Sequence, residues 1–270
     1  MTDLVLLALA MLLTGAIGGV LAGLLGIGGG IVIVPMLDTA LSFYGTDPAI
    51  RMQVAVATSL ATIIPTSISS SRAHHRRGAV DVALVKRWAV FVLVGSVAGA
   101  YVASHVHSDT LSLVFAIMAF LIAIKLLLPL DGRRLADDIP RGAVMPIVPT
   151  LIGGISSMMG IGGGTLSVAT LTLFNQPIHR AVGTAALFGL AISLPGTLGF
   201  MLAGFGDPRL PPYSIGFVNL IGFALIAPVT WLTAPLGAVL AHRLSQRQLR
   251  VSFGIFLLLV SLRMLGRAFR

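Results

Sequence analysis

The chain contains no cysteine and no glutamate. Without cysteine there is no disulfide framework, no thiolate metal site and no thiol nucleophile. Without glutamate, and with no His-x-x-x-His spacing, a helical zinc protease motif is absent. Nothing in the sequence places a serine–histidine pair. Charge is scarce as well. Charged residues make up 10% of the 270 positions, against roughly 25% in an ordinary soluble domain. The acidic residues number nine, all Asp, and 16 of the 18 basic residues are Arg.

What fills the chain is apolar side chain, 56% of residues, at a mean hydropathy of +0.99. No charged residue occurs in the 34 positions between Asp3 and Asp38. The runs Met52–Ser71, Trp88–Ser108, Gly142–His179, Ala181–Gly206 and Leu210–His242 are uncharged for 20 to 38 residues. A helix needs about 20 apolar residues to cross a bilayer. The fold class is therefore an all-α, polytopic membrane protein, and the lipid bilayer is its first partner. A transmembrane barrel is excluded, because its strands alternate in short segments. The net charge of +9 fits basic cytoplasmic loops rather than nucleic acid. The Met-Thr-Asp start lacks the basic region of a signal peptide, so the first helix is expected to remain in the mature protein.

The chain repeats itself. Gly26-Ile27-Gly28-Gly29-Gly30 recurs as Gly160-Ile161-Gly162-Gly163-Gly164, 134 positions on. Ala55-Val56-Ala57-Thr58 matches Ala181-Val182-Gly183-Thr184 at 126, and Gly78-Ala79-Val80-Asp81 matches Gly216-Phe217-Val218-Asn219 at 138. At that last offset Lys125 matches Arg263. Two repeats follow, 1–130 and 142–270, joined by a charged linker over 131–141 that is expected to be cytoplasmic. Each repeat holds five candidate helical segments. These are Leu4–Leu25, Ile31–Phe43, Val54–Ser71, Val80–Ser104 and Leu111–Leu130, then Ala143–Met159, Thr165–Phe174, Ala181–Phe205, Ile215–Ala241 and Val251–Leu265.

Loop charge points to inversion of one repeat relative to the other. Arg72, Arg76, Arg77, Lys86 and Arg87 mark one connection, while its counterpart has only Arg209 beside Asp207. The next connection, His105–Asp109, has no Lys or Arg, and its counterpart carries Arg243, Arg247 and Arg250. The bias changes side between the halves, as inverted repeats require. Arg263, Arg267 and Arg270 near the end weigh toward a parallel arrangement.

Four glycines in five residues disfavour helix, at about 1 kcal/mol each. A helix broken in lipid is tolerated only inside protein or along a wet cavity. Matched broken segments in two halves point to a transport site near the midplane. The arms that follow, Ile31–Phe43 and Thr165–Phe174, reach only about 20 and 15 Å, so they are read as glycine-broken helices or re-entrant hairpins. Their N-termini aim free N–H groups at the tips and suit a small anion. Gly15, Gly19, Gly23, Gly95 and Gly99 instead fit close helix packing.

The candidate substrate-binding residues are therefore Gly28, Gly29, Gly30, Gly162, Gly163 and Gly164, with hydroxyls from Thr58, Ser59, Ser156, Ser157, Thr165 and Thr184. Arg51, Gln53, His179 and Arg180 are mouth or gating candidates. Asp38 is the acidic candidate for proton coupling. No catalytic residue, cofactor, metal or nucleic-acid partner is expected.

Several strings here resemble those of a known family. They are the glycine string followed by Val34-Pro35-Met36-Leu37, then Ala55–Ser59, then Arg76–Asp81 with its Arg-Arg-Gly-x-Val-Asp pattern. In this order and duplication they resemble the TauE/SafE family of sulfite exporter-type anion permeases. The resemblance implies an inner-membrane transporter of sulfite, thiosulfate, sulfoacetate or a similar organosulfonate. In the second repeat Ala169 replaces the proline and Ala185 the serine. An anion channel of the same fold, without alternating access, stays open as the alternative.

Overall fold

The computed structural model describes residues 2–25, 29–128, 145–240 and 246–268. Within them lie ten helices, five in each half. They are α1 (Thr2–Leu25), α2 (Gly30–Phe43), α3 (Arg51–His75), α4 (Val82–His105), α5 (Ser108–Leu127), α6 (Ile147–Met159), α7 (Gly164–Leu173), α8 (Ile178–Ala203), α9 (Leu220–Leu240) and α10 (Gln246–Ala268). A two-residue antiparallel pair, β1 (Ser214–Ile215) with β2 (Val218–Asn219), is the only sheet among the described residues. Helix satisfies every interior backbone group within the segment, which is what lipid demands. The linker at 131–141 and Gly28 fall outside the described residues.

By length and composition α3, α4, α5, α8 and α9 can each cross a bilayer. Of these α3 is the most deeply placed: 83% of its most apolar stretch is buried, against 33% for α4, α5 and α9. It is also the helix richest in Ser and Thr, so protein rather than lipid surrounds those hydroxyls.

The packing is exchange-symmetric. α1 lies on α9 as α6 lies on α4; α3 meets α9 as α8 meets α4; α3 pairs with α8, and α5 with α10. Glycines set two of these contacts. A Cβ on Gly19 or Gly23 would strike the α9 backbone at Thr230 or Ala234, and one on Gly95 or Gly99 would strike α6 at Thr150 or Gly154. These glycines do serve close approach, as expected from their spacing.

Two hydrogen bonds fix how the halves meet. The Asn219 N–H donates to Thr58 Oγ1 (2.9 Å), and the Asp81 N–H donates to Thr184 Oγ1 (3.0 Å). The two threonines are repeat-mates, as are Asp81 and Asn219. Asp81 caps α4 by accepting from the Leu84 N–H, and Asn219 caps the start of α9 by accepting from the Gly222 N–H. Thus the start of α3 lies beside the exit of α8, and the start of α8 beside the exit of α3. The two helices run antiparallel, with Leu60 against Gly196 and Ser67 against Gly189.

Candidate functional site at the glycine turns

Each glycine string ends in a left-handed residue that starts a short helix. Gly29 (φ 73°) precedes α2 and Gly163 (φ 74°) precedes α7. An L side chain in this region costs about 1–2 kcal/mol. Space is denied too: a Cβ on Gly29 would meet the Gly18 carbonyl, and one on Gly163 would meet Ile192 Cδ1. With 14 and ten residues, α2 and α7 extend about 21 and 15 Å, short of the roughly 30 Å core.

In the second half Met145 and Val148, before and on α6, pack against a buried cluster that also holds Leu171 of α7 with Leu84, Trp88 and Ala181. The turn itself sits beside the middle of α8, at Gly189 and Ile192. The two turns approach each other. A Cβ on Gly30 would run into the backbone of Gly160 and Ile161, and Ser59 Oγ donates to the Gly160 carbonyl at 2.8 Å. At that position the second repeat has Ala185, so only one turn is held this way.

The hydroxyls divide into two groups. Thr58 and Thr184 accept the backbone N–H groups described above, and Ser59 holds Gly160, so all three bond within the fold. Ser156, Ser157 and Thr165 are buried, and their hydroxyl oxygens have no hydrogen-bond partner among the described residues. Five residues that sequence reading missed share that condition: Ser167 on α7, Ser193 and Thr197 on α8, and, on other segments, Thr46 and Ser70. An unpaired buried hydroxyl costs on the order of 1–3 kcal/mol. Ser156 Oγ stands 3.5 Å from where a Cβ on Gly163 would lie, and Ser157 Oγ 2.9 Å from one on Gly196. At the positions matching Ser156, Ser157, Thr165 and Ser167 the first repeat has Ala22, Gly23, Ile31 and Ile33. That contrast between the repeats was the available signal that the second turn is the more polar of the two.

The mouth candidates are engaged elsewhere. Arg51 Nε donates to Asp38 Oδ1 at 2.8 Å, and Arg51 Nη1 reaches Ser42 Oγ. Arg180 pairs with Asp81 at 3.4 Å. Gln53 Nε2 donates to the Val106 carbonyl (2.7 Å), leaving its Oε1 without a partner. His179 lies exposed at the start of α8. Asp38 is buried near the end of α2 and shares a cavity of about 40 Å³ with Arg263, Thr39 and Met264.

A bundle of apolar helices, five of them long enough to cross a bilayer and two preceded by left-handed glycines, is that of a polytopic membrane protein. Comparison with known sequences agrees. The chain matches the model of the sulfite exporter TauE/SafE family over residues 11–264, and it belongs to that family. It is a membrane transporter. It is 33% identical over 262 residues to a probable membrane transporter protein of Haemophilus influenzae, covering 95% of this chain and 97% of the relative. It is 28% identical over 272 residues to the probable membrane transporter protein YunE of Bacillus subtilis, covering 93% and 94%. A third, the probable membrane transporter protein MJ0441 of Methanocaldococcus jannaschii, is 24% identical over 271 residues, covering 97% of each chain. No solved structure matches.

Proposed function

We propose that the protein is a secondary transporter that carries a small sulfur-containing anion across the inner membrane. Sulfite, thiosulfate, sulfoacetate and similar organosulfonates are the candidate substrates. The single observation that carries the anion reading is the second glycine turn, where α7 begins and where Ser156 and Thr165 have buried hydroxyls with no hydrogen-bond partner among the described residues. Helix N-termini favour negative charge, and neutral donors bind an anion without a salt bridge that must later be broken. Family membership supports the choice of sulfur.

We infer that the two repeats, 1–130 and 142–270, are inverted in the membrane and exchange access around the site. The antiparallel course of α3 and α8 and the exchange-symmetric packing support this. Basic residues Arg72–Arg87 put the α3–α4 connection in the cytoplasm. A cysteine at exposed Arg76 should then label from the cytoplasmic side and one at exposed Tyr213 from the opposite side. Labelling of both from one side would refute inversion.

The functional test is uptake into proteoliposomes of labelled sulfite, thiosulfate, sulfoacetate, sulfate and a carboxylate. Accumulation of a sulfur anion against its gradient is the expected outcome. Preference for the carboxylate or for a cation would refute the assignment, and strictly downhill flux would identify a channel.

A further inference from the structure

We propose that the site at the second glycine turn takes monovalent anions and rejects divalent ones, so that a weak acid such as sulfite is bound in its hydrogen form. This rests on the anion reading and narrows it, removing thiosulfate and sulfoacetate, both dianions at neutral pH, from the candidate substrates.

Charge supply at the turn sets this limit. Every side chain offered at the turn is neutral: Ser156 and Ser157 at the end of α6, Thr165 and Ser167 on α7, all buried and unpaired. The stretches 142–179 and 52–71 contain no Asp, Lys or Arg. Positive potential comes from helix N-termini, about half an elementary charge each. One is that of α7, at Gly163–Thr165. The other is that of α2, whose first residue, Gly30, abuts Gly160 and Ile161.

The negative end of α6 also points at the turn, but two of its last four carbonyls are already engaged. Those of Ser156 and Ser157 accept from the Ile161 and Gly160 N–H groups, and that of Gly160 accepts from Ser59. What remains is about one positive equivalent, enough for a monoanion. A dianion would leave about one charge uncompensated in a site with little water, a strongly unfavourable state.

Basic and titratable groups on the surrounding helices stand away from the turn. α6 and α7 carry none. Those of α3, α4 and α8 lie near helix ends: Arg51, Arg72, His74 and His75; Lys86, Arg87, Tyr101 and His105; His179 and Arg180. Asp38 of α2 is paired with Arg51. Lys125 of α5 does touch α7, but its ammonium donates to the Ala169 carbonyl (3.1 Å), toward the negative end of that helix. Hydroxyls have one further property that ammonium groups lack: they accept as well as donate. They can therefore take the acidic O–H of a hydrogen oxyanion.

The experiment is equilibrium binding to the purified protein across the second ionisation of sulfite. The probes are sulfite, methanesulfonate, sulfate and thiosulfate. Sulfite affinity should fall about tenfold per pH unit above that ionisation. Methanesulfonate, which has no proton to lose there, should bind equally throughout. Sulfate and thiosulfate should bind at least about a hundredfold more weakly. Thr165→Val, which preserves shape, should weaken methanesulfonate about tenfold.

Four results would overturn the proposal. They are sulfate binding within tenfold of methanesulfonate, sulfite affinity that does not fall with pH, a parallel fall for methanesulfonate (a titrating protein group), or an unaffected Thr165→Val variant. If no sulfur anion binds, nitrate bound over sulfate would keep the charge rule and sink the sulfur reading. Binding of no anion would sink both.

Discussion

Replacing Gly163 by alanine tests the geometry of the second turn through two separable costs. The residue has φ 74°, where a Cβ costs about 1–2 kcal/mol against the following carbonyl. The added methyl also occupies the position of Ile192 Cδ1. Ile192 is fully buried, so relief requires an off-rotamer side chain or a backbone shift, at about 1–3 kcal/mol. Gly163→Ala should therefore destabilise by about 2–5 kcal/mol. Ile192→Val deletes the one methyl in conflict and by itself costs about 0.5–1.5 kcal/mol. In the Gly163→Ala background that deletion removes the clash but not the backbone strain. The double variant should be more stable than the sum of the singles by about 1–3 kcal/mol, with about 1–2 kcal/mol of strain left over. Unfolding in mixed detergent micelles, read for all four proteins, gives the cycle. Additivity within about 0.5 kcal/mol would refute the placement of Gly163 against Ile192, and with it the turn.

Thr58→Val and Thr184→Val each strand a backbone N–H, of Asn219 and of Asp81, and should each cost about 1–3 kcal/mol. As repeat-mates they should cost similar amounts when unfolding is measured; a negligible effect from either would show that its bond does not hold the neighbouring helix start. Arg51→Ala removes a cation from the buried Asp38 carboxylate and should cost about 2 kcal/mol, a figure reduced because Arg51 is partly exposed; Asp38→Asn in that background should recover most of the loss. In the loop after α8, the Arg209 side chain and then its backbone N–H hold the Asp207 carboxyl below the usual carboxylate range. That contribution to stability is complete above the ordinary Asp pKa and fades as pH falls through the lowered value. Arg209→Ala should therefore shrink the acid-side loss of thermal stability; an unchanged pH profile would show that the pair carries none of it.

The sequence by itself determined the class and the duplication. Charge-free runs longer than a bilayer is thick admit no soluble fold, and two glycine strings in register cannot arise from helix propensity alone. It also separated Gly15, Gly19, Gly23, Gly95 and Gly99, whose regular spacing along a helix face suits packing, from the clustered glycines of the turns. What it could not assign was the work of each hydroxyl. Thr58 and Thr184 read as substrate ligands because they recur in both repeats. In the folded protein they recur because each pins the capped start of a helix from the other half, across 161 and 103 positions of chain. Ser193 and Thr197 carried no local signal, since they lie in an apolar helix and acquire meaning only where α8 passes the turn. Arg51 looked like a mouth residue until Asp38, 13 positions earlier, folded back against it. Local pattern encodes where a chain must be helical and where it must break. Whether a buried oxygen is satisfied depends on which distant backbone group the tertiary fold brings within 3 Å, roughly the length of a hydrogen bond.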